Sequence, residues 1–242
     1  MPMDKESHTS PRKLLVTGAS HGIGAAITRR LLNRGHQVVA VGRDFANWSD
    51  EDGLEKRIVD LASLDILPKH LEEIAADHPD MNGAILNAGS GRFGNIEEFS
   101  YQQISDLVAV NLLQHLYAAR ALVPLLKQSG YGDLVVIGSE AALTGGRKGA
   151  VYSACKFALR GFTQSLRSEC SSRGVRVCLI NPGMVDTDFY DKLNFKPGEL
   201  AENALRAEDI ADTVMLVLGS HPGTVFDEIN LNPLKKVIQF KN

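Results

Sequence analysis

The pattern that most restricts this chain is an alternation of short apolar runs with longer amphipathic stretches, from Lys13 almost to the end. The runs L-L-V, Q-V-V-A-V, L-V-V-I and V-R-V-C-L-I are near-continuous in apolar residues. Parallel strands covered by helices on both faces read this way, whereas a strand with one wet face alternates. Strands are expected at 13–17, 37–42, 57–59, 83–86, 134–138, 175–180 and 227–231, with helices at 23–34, 64–77, 100–128, 152–173 and 207–218. Pro124 should kink the third helix. Strand, helix, strand repeated through one chain implies an α/β doubly wound architecture with right-handed crossovers: a seven-stranded parallel sheet with helices on both faces. The 242 residues suit one domain, expected over 12–242 behind a polar tail at 1–11.

Charge and composition narrow the function. Lys and Arg number 26 against 29 Asp and Glu, a formal net charge of −3, which excludes the broad basic footprint of a nucleic-acid binder. The tail carries no apolar run of the kind a signal peptide needs, and no stretch approaches a membrane span, so the cytoplasm is the expected location. Cys155, Cys170 and Cys178 are odd in number and lack metal-type spacing. Reduced, buried thiols are expected rather than a disulfide or a metal site.

Glycine is the compositional outlier, with 22 residues, and position explains it. Thr17 to Gly24 reads T-G-A-S-H-G-I-G between the first strand and the first helix. Glycines there allow a tight turn and let backbone approach a pyrophosphate, whose charge the helix N-terminus stabilises. The spacing is G-x-x-x-G-x-G, through Gly18, Gly22 and Gly24, and not G-x-G-x-x-G. Asn87-Ala88-Gly89 follows the fourth strand, Asn111 lies in the long helix, Ser139 ends the fifth strand, and Tyr152 with Lys156 makes Y-x-x-x-K. Pro182 and Gly183 follow the sixth strand, with Val185 and Thr187 close behind. In this order the motifs resemble the short-chain dehydrogenase/reductase family, in its NADP-preferring subgroup of about 250 residues, over residues 13 to 231. The resemblance implies a single-domain Rossmann fold and a nicotinamide dinucleotide held at the C-terminal ends of the strands.

Tyr152 and Lys156, four apart, lie on one helix face. A neighbouring ammonium favours the phenolate, so Lys156 is expected to lower the Tyr152 pKa and fit it for acid/base work on a carbonyl or alcohol oxygen. Ser139 can orient the same oxygen. The family resemblance gives Lys156 a second role, bonding the nicotinamide ribose, and gives Asn111 a water that relays protons to Lys156. Each residue has a plainer reading. Such a Tyr and Lys pair packs on many helices, a serine caps turns, and a buried asparagine is a satisfied polar group. Cys155, between the pair, has no histidine partner in its local sequence and reads as core.

For the cofactor, V-G-R-D at 41–44 puts Gly42 where NAD-binding relatives carry an acid, with Arg43 next. Arg43 and His21 therefore point to NADP(H), by accommodating the 2′-phosphate. Asp44 is the dissenting residue, able to accept from a free ribose hydroxyl. Ser20, Ile23, Asp60 and Leu61 complete the expected dinucleotide set, Asp60 facing the adenine amino group by resemblance. Residues 44–57 depart from the family: a shortened helix or loop is expected, with a more open adenine side. The expected partners are a small carbonyl or alcohol substrate and, by resemblance, further copies of the chain in a dimer or tetramer packed through the two long helices. Substrate contacts should come from 90–94, 140–149 and 184–205, the last with Phe189, Tyr190, Leu193 and Phe195, either a lid or a plain surface loop. Arg92, Arg147 and Lys148 are candidate carboxylate or phosphate contacts, or ordinary surface charges. The ending D-E-I-N-L-N-P at 227–233 resembles small hydroxy-acid and serine-type dehydrogenases. Alternatives are a 3-oxoacyl-type reductase, an epimerase or dehydratase, and a cofactor-bound regulator without turnover.

Overall fold

The structure, a computed structural model, describes residues 10–241. The expected tail at 1–11 falls almost wholly outside the described residues. The chain opens with β1 (Lys13–Thr17), α1 (Gly22–Leu32), β2 (Gln37–Gly42) and β3 (Leu54–Ile58). Next come α2 (Leu67–Asp77), β4 (Gly83–Leu86), α3 (Tyr101–Val108), α4 (Gln114–Ser129) and β5 (Gly132–Ile137). The last third holds α5 (Ala150–Cys170), β6 (Val175–Pro182), β7 (Val185–Asp186), β8 (Phe195–Pro197) and β9 (Leu205–Arg206). It closes with α6 (Ala207–Leu218), β10 (Glu228–Leu231) and β11 (Ile238–Phe240).

Seven strands form one sheet in the order β10-β6-β5-β4-β1-β2-β3, and every neighbouring pair is parallel. The order reverses between β1 and β4, where open sheets of this kind bind ligands beyond the carboxyl ends of their strands. Successive side chains point to opposite faces, so each apolar run feeds two cores. Leu14, Val16, Val38, Ala40, Val135 and Ile137 pack under α1 and α6, with Ile27, Leu31 and Val214. Leu15, Val39, Val41, Leu134 and Val136 pack on the other face with Leu71 of α2, Leu122 of α4 and Leu159 of α5. Cys170 belongs to one core and Cys178 to the other, both free thiols; burial pushes both pKa values up.

Three expectations need correction. The third strand runs over 54–58 and not 57–59. It is an edge strand, and Lys56 and Arg57 pair with Asp50 and Asp77, so its polar residues hide the β pattern. The helix expected over 100–128 is interrupted at residues 109–113 by a π turn, while α4 continues past Pro124, which lies on the exposed side. Residues 43–53 form a loop without helix, and it does not leave its flank open. Phe45 and Trp48 are buried, Trp48 Nε1 donates to the Ser20 carbonyl at 2.9 Å, and the Arg29 guanidinium lies 4.7 Å from the Trp48 ring.

At the opposite, N-terminal edge of the sheet, Asp133 at the start of β5 is buried between two arginines. It accepts from Arg12 Nη1 at 2.7 Å and from Arg176 Nε and Nη2 at 2.7 and 3.0 Å. Arg176 also donates to the Ser220 and His221 carbonyls, both at 3.1 Å, just after α6. One carboxylate thus ties β1, β5, β6 and the end of α6. Asp133→Ala would leave two buried guanidinium groups without their anion, and a loss of about 3–5 kcal/mol is expected. Urea denaturation measures it; a loss under about 1 kcal/mol would mean that the carbonyls alone satisfy the arginines.

Candidate active site

The glycine turn sits at the end of β1. Gly18 and Gly22 have φ of +65° and +51°, a left-handed region that side chains avoid. Gly24 is needed for closeness: a Cβ there would stand 2.0 Å from the Gly18 carbonyl oxygen and 2.6 Å from Asn87 Nδ2. The start of α1 is thereby pressed against the strand end. Asn87 holds the same point, donating through Nδ2 to the Thr17 and Gly18 carbonyls at 3.1 and 3.3 Å. The Thr17 hydroxyl oxygen accepts from the N–H groups of Asn87 and Ala88 at 2.9 and 3.2 Å. Helix α1 has no side-chain cap and no acidic residue in its first turn. Its N-terminal N–H groups are therefore left for an anion, which fits a pyrophosphate. A cavity of about 350 Å³ opens beside the turn, lined by Gly22, Ala25, Arg29, Thr187 and Asp188 among others.

The other expected dinucleotide residues surround this turn. Ser20 Oγ lies 2.8 Å from His21 Nδ1, and Ile23 is half-buried. Arg43 is exposed at the end of β2 and has no side-chain partner among the described residues. Asp44 is also exposed, but its carboxylate accepts from the Ala46 N–H at 2.8 Å, closing its own turn. Asp60 likewise accepts from the Ala62 N–H at 3.1 Å, and Leu61 is buried. The Gly183 N–H donates to the Leu231 carbonyl at 2.7 Å, which fastens the bend after Pro182 to β10. Val185 is buried, and Thr187 caps the turn at 188–190.

The four expected catalytic residues come from three places: the π turn, the end of β5 and helix α5. Asn111 lies in the π turn, fully buried. Its Nδ2 donates to the Ser90 and Leu107 carbonyls, both at 3.0 Å, and its Oδ1 accepts from the Ser90 N–H at 3.2 Å. Irregular turns of this type bring such a side chain out of the helical register. A Cβ on Gly89 would come 3.0 Å from Asn111 Oδ1 and 3.8 Å from Lys156 Nζ, so both polar atoms border the same glycine. Ser139 follows β5, where its hydroxyl caps the next turn by accepting from the Ala141 N–H at 3.1 Å. The same side chain lies close enough to Tyr152 to lower its pKa. Lys156 Nζ donates to the Ile137 carbonyl at 3.2 Å and lies 5.7 Å from the centre of the Tyr152 ring.

The electrostatics correct one expectation. Burial pushes the Tyr152 phenol up to about 12, with Ser139 pulling the other way and Cys155 and then Glu140 raising it further. Burial also brings Lys156 down to about 8. Spacing suggested that the ammonium would lower the tyrosine, but desolvation of both groups wins. Tyr152 is therefore neutral at pH 7. Cys155 is buried and its thiol is pushed up, as expected of a core residue.

Sequence reasoning missed the residues that follow Asn111. Gln114 and His115 are fully buried, and Gln114 Nε2 donates to the Ala88 carbonyl at 3.0 Å. Burial, then the charge of Lys156, hold His115 well below its usual pKa. Their one signal was position, three and four residues beyond Asn111 on the same face. The stretch at 184–205, expected as a loop, carries β7, β8 and β9. Its Phe189 packs 6.3 Å from Tyr152, and Phe93 reaches to 5.3 Å. Arg92, Arg147 and Lys148 are exposed.

Residues 12–197 match the family model described as short chain dehydrogenase. The chain belongs to the short-chain dehydrogenase family. It is 30% identical over 225 residues to an uncharacterized oxidoreductase of Staphylococcus epidermidis, covering 91% of this chain and 96% of that one. Its fold is similar to that of an alcohol dehydrogenase from the archaeon Thermococcus sibiricus complexed with 5-hydroxy-NADP: TM-score 0.83, 25% identity, 94% and 99% of the two chains covered. A serine dehydrogenase in its closed form, complexed with NADP+, matches with TM-score 0.79 and 25% identity over 90% and 93% of the chains. This short-chain dehydrogenase is an oxidoreductase.

Gly24→Ala is expected to weaken dinucleotide binding at least about tenfold, because the helix N-terminus must back away from the phosphate position. Fluorescence titration with NADPH checks it. Gly161→Ala in α5 meets nothing within 4 Å and is the control. It should leave binding intact and stabilise the protein by about 0.5–1 kcal/mol.

Proposed function

We propose that the protein interconverts a secondary alcohol and a ketone or aldehyde using NADP(H). One observation carries the reading: Ser139, Tyr152, Lys156 and Asn111 lie together at the strand edge that also holds the uncapped glycine turn. Gly18, Gly22 and Gly24 with the start of α1 would hold the pyrophosphate, and Lys156 the nicotinamide ribose. The exposed Arg43, without a side-chain partner among the described residues, and His21 in the glycine turn support a 2′-phosphate over a free hydroxyl, and Asp44 is occupied with its own turn. When bound, the nicotinamide supplies or accepts the hydride.

Tyr152 does the proton chemistry. Its neutral phenol donates to the oxygen that gains charge as the carbonyl is reduced. Ser139 donates to or accepts from the same oxygen and holds it in line with Tyr152. Lys156 stays protonated below about pH 8 and its charge favours the phenolate left behind. Asn111 keeps the Ser90 backbone in place and borders the gap through which Lys156 would be reprotonated. No described helix is long and apolar enough to cross a membrane. On α5, the exposed Phe157 supports the expected dimer or tetramer.

Tyr152→Phe should lower kcat for ketone reduction by at least about 10²-fold while NADPH still binds. Turnover near the wild-type rate would sink the mechanism. In the wild type, ketone reduction should hold from neutral pH and fall as pH rises through about 8, where Lys156 loses its proton. Arg43→Ala should raise the KM for NADPH about tenfold or more and leave NADH little changed. Equal loss with both cofactors would show that Arg43 does not meet the 2′-phosphate.

A further inference from the structure

We propose that the substrate is a neutral ketone or alcohol with an apolar, ring-bearing body, and that Glu140 turns away molecules carrying a carboxylate beside the reacting carbon. This deepens the oxidoreductase reading above and rests on it. It replaces the small hydroxy acid suggested by the C-terminal sequence.

The wall over Tyr152 is aromatic. Phe93 comes from the loop after β4, Phe189 and Tyr190 from the turn after β7, and Phe195 from β8. Phe93 lies 5.1 Å from Phe195, Phe189 5.2 Å from Tyr190, and Tyr190 5.9 Å from Phe195, centre to centre. Two of these rings contact Tyr152 itself, which is only 8% exposed. Any carbonyl that reaches the Tyr152 hydroxyl therefore lies among these rings, where an apolar body gains contact and a charged one loses its water. The wall is held from behind: β11 pairs antiparallel with β8, and Lys241 Nζ donates to the Tyr190 and Asp191 carbonyls at 2.6 and 3.1 Å.

A carboxylate stands at the edge of the wall. Glu140 directly follows Ser139, and after burial, which dominates, its charge adds to the rise of the Tyr152 and Tyr190 phenols. Its carboxylate pairs with Lys236 at 2.7 Å, on the side of the C-terminal segment. Of the other cations in these segments, some are open to solvent and the rest are engaged. Arg92, Arg147 and Lys148 are exposed on loops, Lys196 pairs with Glu199, and Lys156 is bound to the Ile137 carbonyl. A substrate carboxylate beside Glu140 would meet a like charge whose own counter-ion, Lys236, is already engaged, and like charges so placed are disfavoured.

Acetophenone and phenylglyoxylate test this, since they share ring and carbonyl and differ by a methyl against a carboxylate. With NADPH, wild-type kcat/KM should favour acetophenone by about tenfold or more. Glu140→Gln should narrow that ratio severalfold and Lys236→Met should widen it; opposite signs separate charge from shape. A wild-type preference for phenylglyoxylate, or a ratio unmoved by both changes, overturns the proposal. Equilibrium dialysis of both compounds, with and without NADPH, reads the same preference apart from turnover. If neither is reduced yet acetophenone binds better and the two variants shift binding in opposite directions, the oxidoreductase reading fails and the specificity stands. If neither compound is favoured in binding or turnover, the specificity fails.

Discussion

The Gly18 carbonyl oxygen occupies the place where a side chain on Gly24 would begin. That contact sets the distance between the end of β1 and the start of α1, and much else depends on it. It leaves the first N–H groups of α1 facing outward with no side-chain cap. It also puts Asn87 within reach of two carbonyls of the turn, so that β4 and β1 are locked at the point where the sheet order reverses. At the far edge of the sheet, Asp133 and its two arginines close the other end with charge. One edge is tied shut by ions, and the other is held open by glycine.

Within the site, burial outweighs charge. Lys156 sits near enough to Tyr152 to touch its ring, yet both groups are pushed toward their neutral forms. This suits a proton donor waiting for an oxygen that becomes basic only as it is reduced. The same enclosure comes from Phe93 and Phe189, so the residues that shield the acid also define what can approach it.

The residues themselves announced the strands whose both faces are covered, because those strands must be apolar throughout. The edge strand β3 did not stand out, since Glu55, Lys56 and Arg57 find ion partners at the rim and need no apolar pattern. The break at 109–113 was hidden for another reason. Its cause is Asn111 bonding the Ser90 backbone, a contact between residues 21 apart, and helical propensity carries no record of it. Trp48 was likewise unreadable as the residue that closes residues 43–53 onto Ser20. The Tyr, Lys, Ser and Asn proposed for catalysis were legible by type and order, though Gln114 and His115 were not.

By itself the sequence determined the class of sheet, the glycine turn and the identity of the groups able to move a proton, because backbone periodicity and side-chain chemistry are local properties. Only the tertiary structure decided the protonation state of Tyr152, the second duty of Ser139 as a turn cap and the aromatic wall with Glu140 at its edge. Those depend on what is excluded from a space shared by distant segments: water in the case of the phenol, and room in the case of the rings. Desolvation and packing are set by neighbours that the fold brings together, and no stretch of sequence holds them.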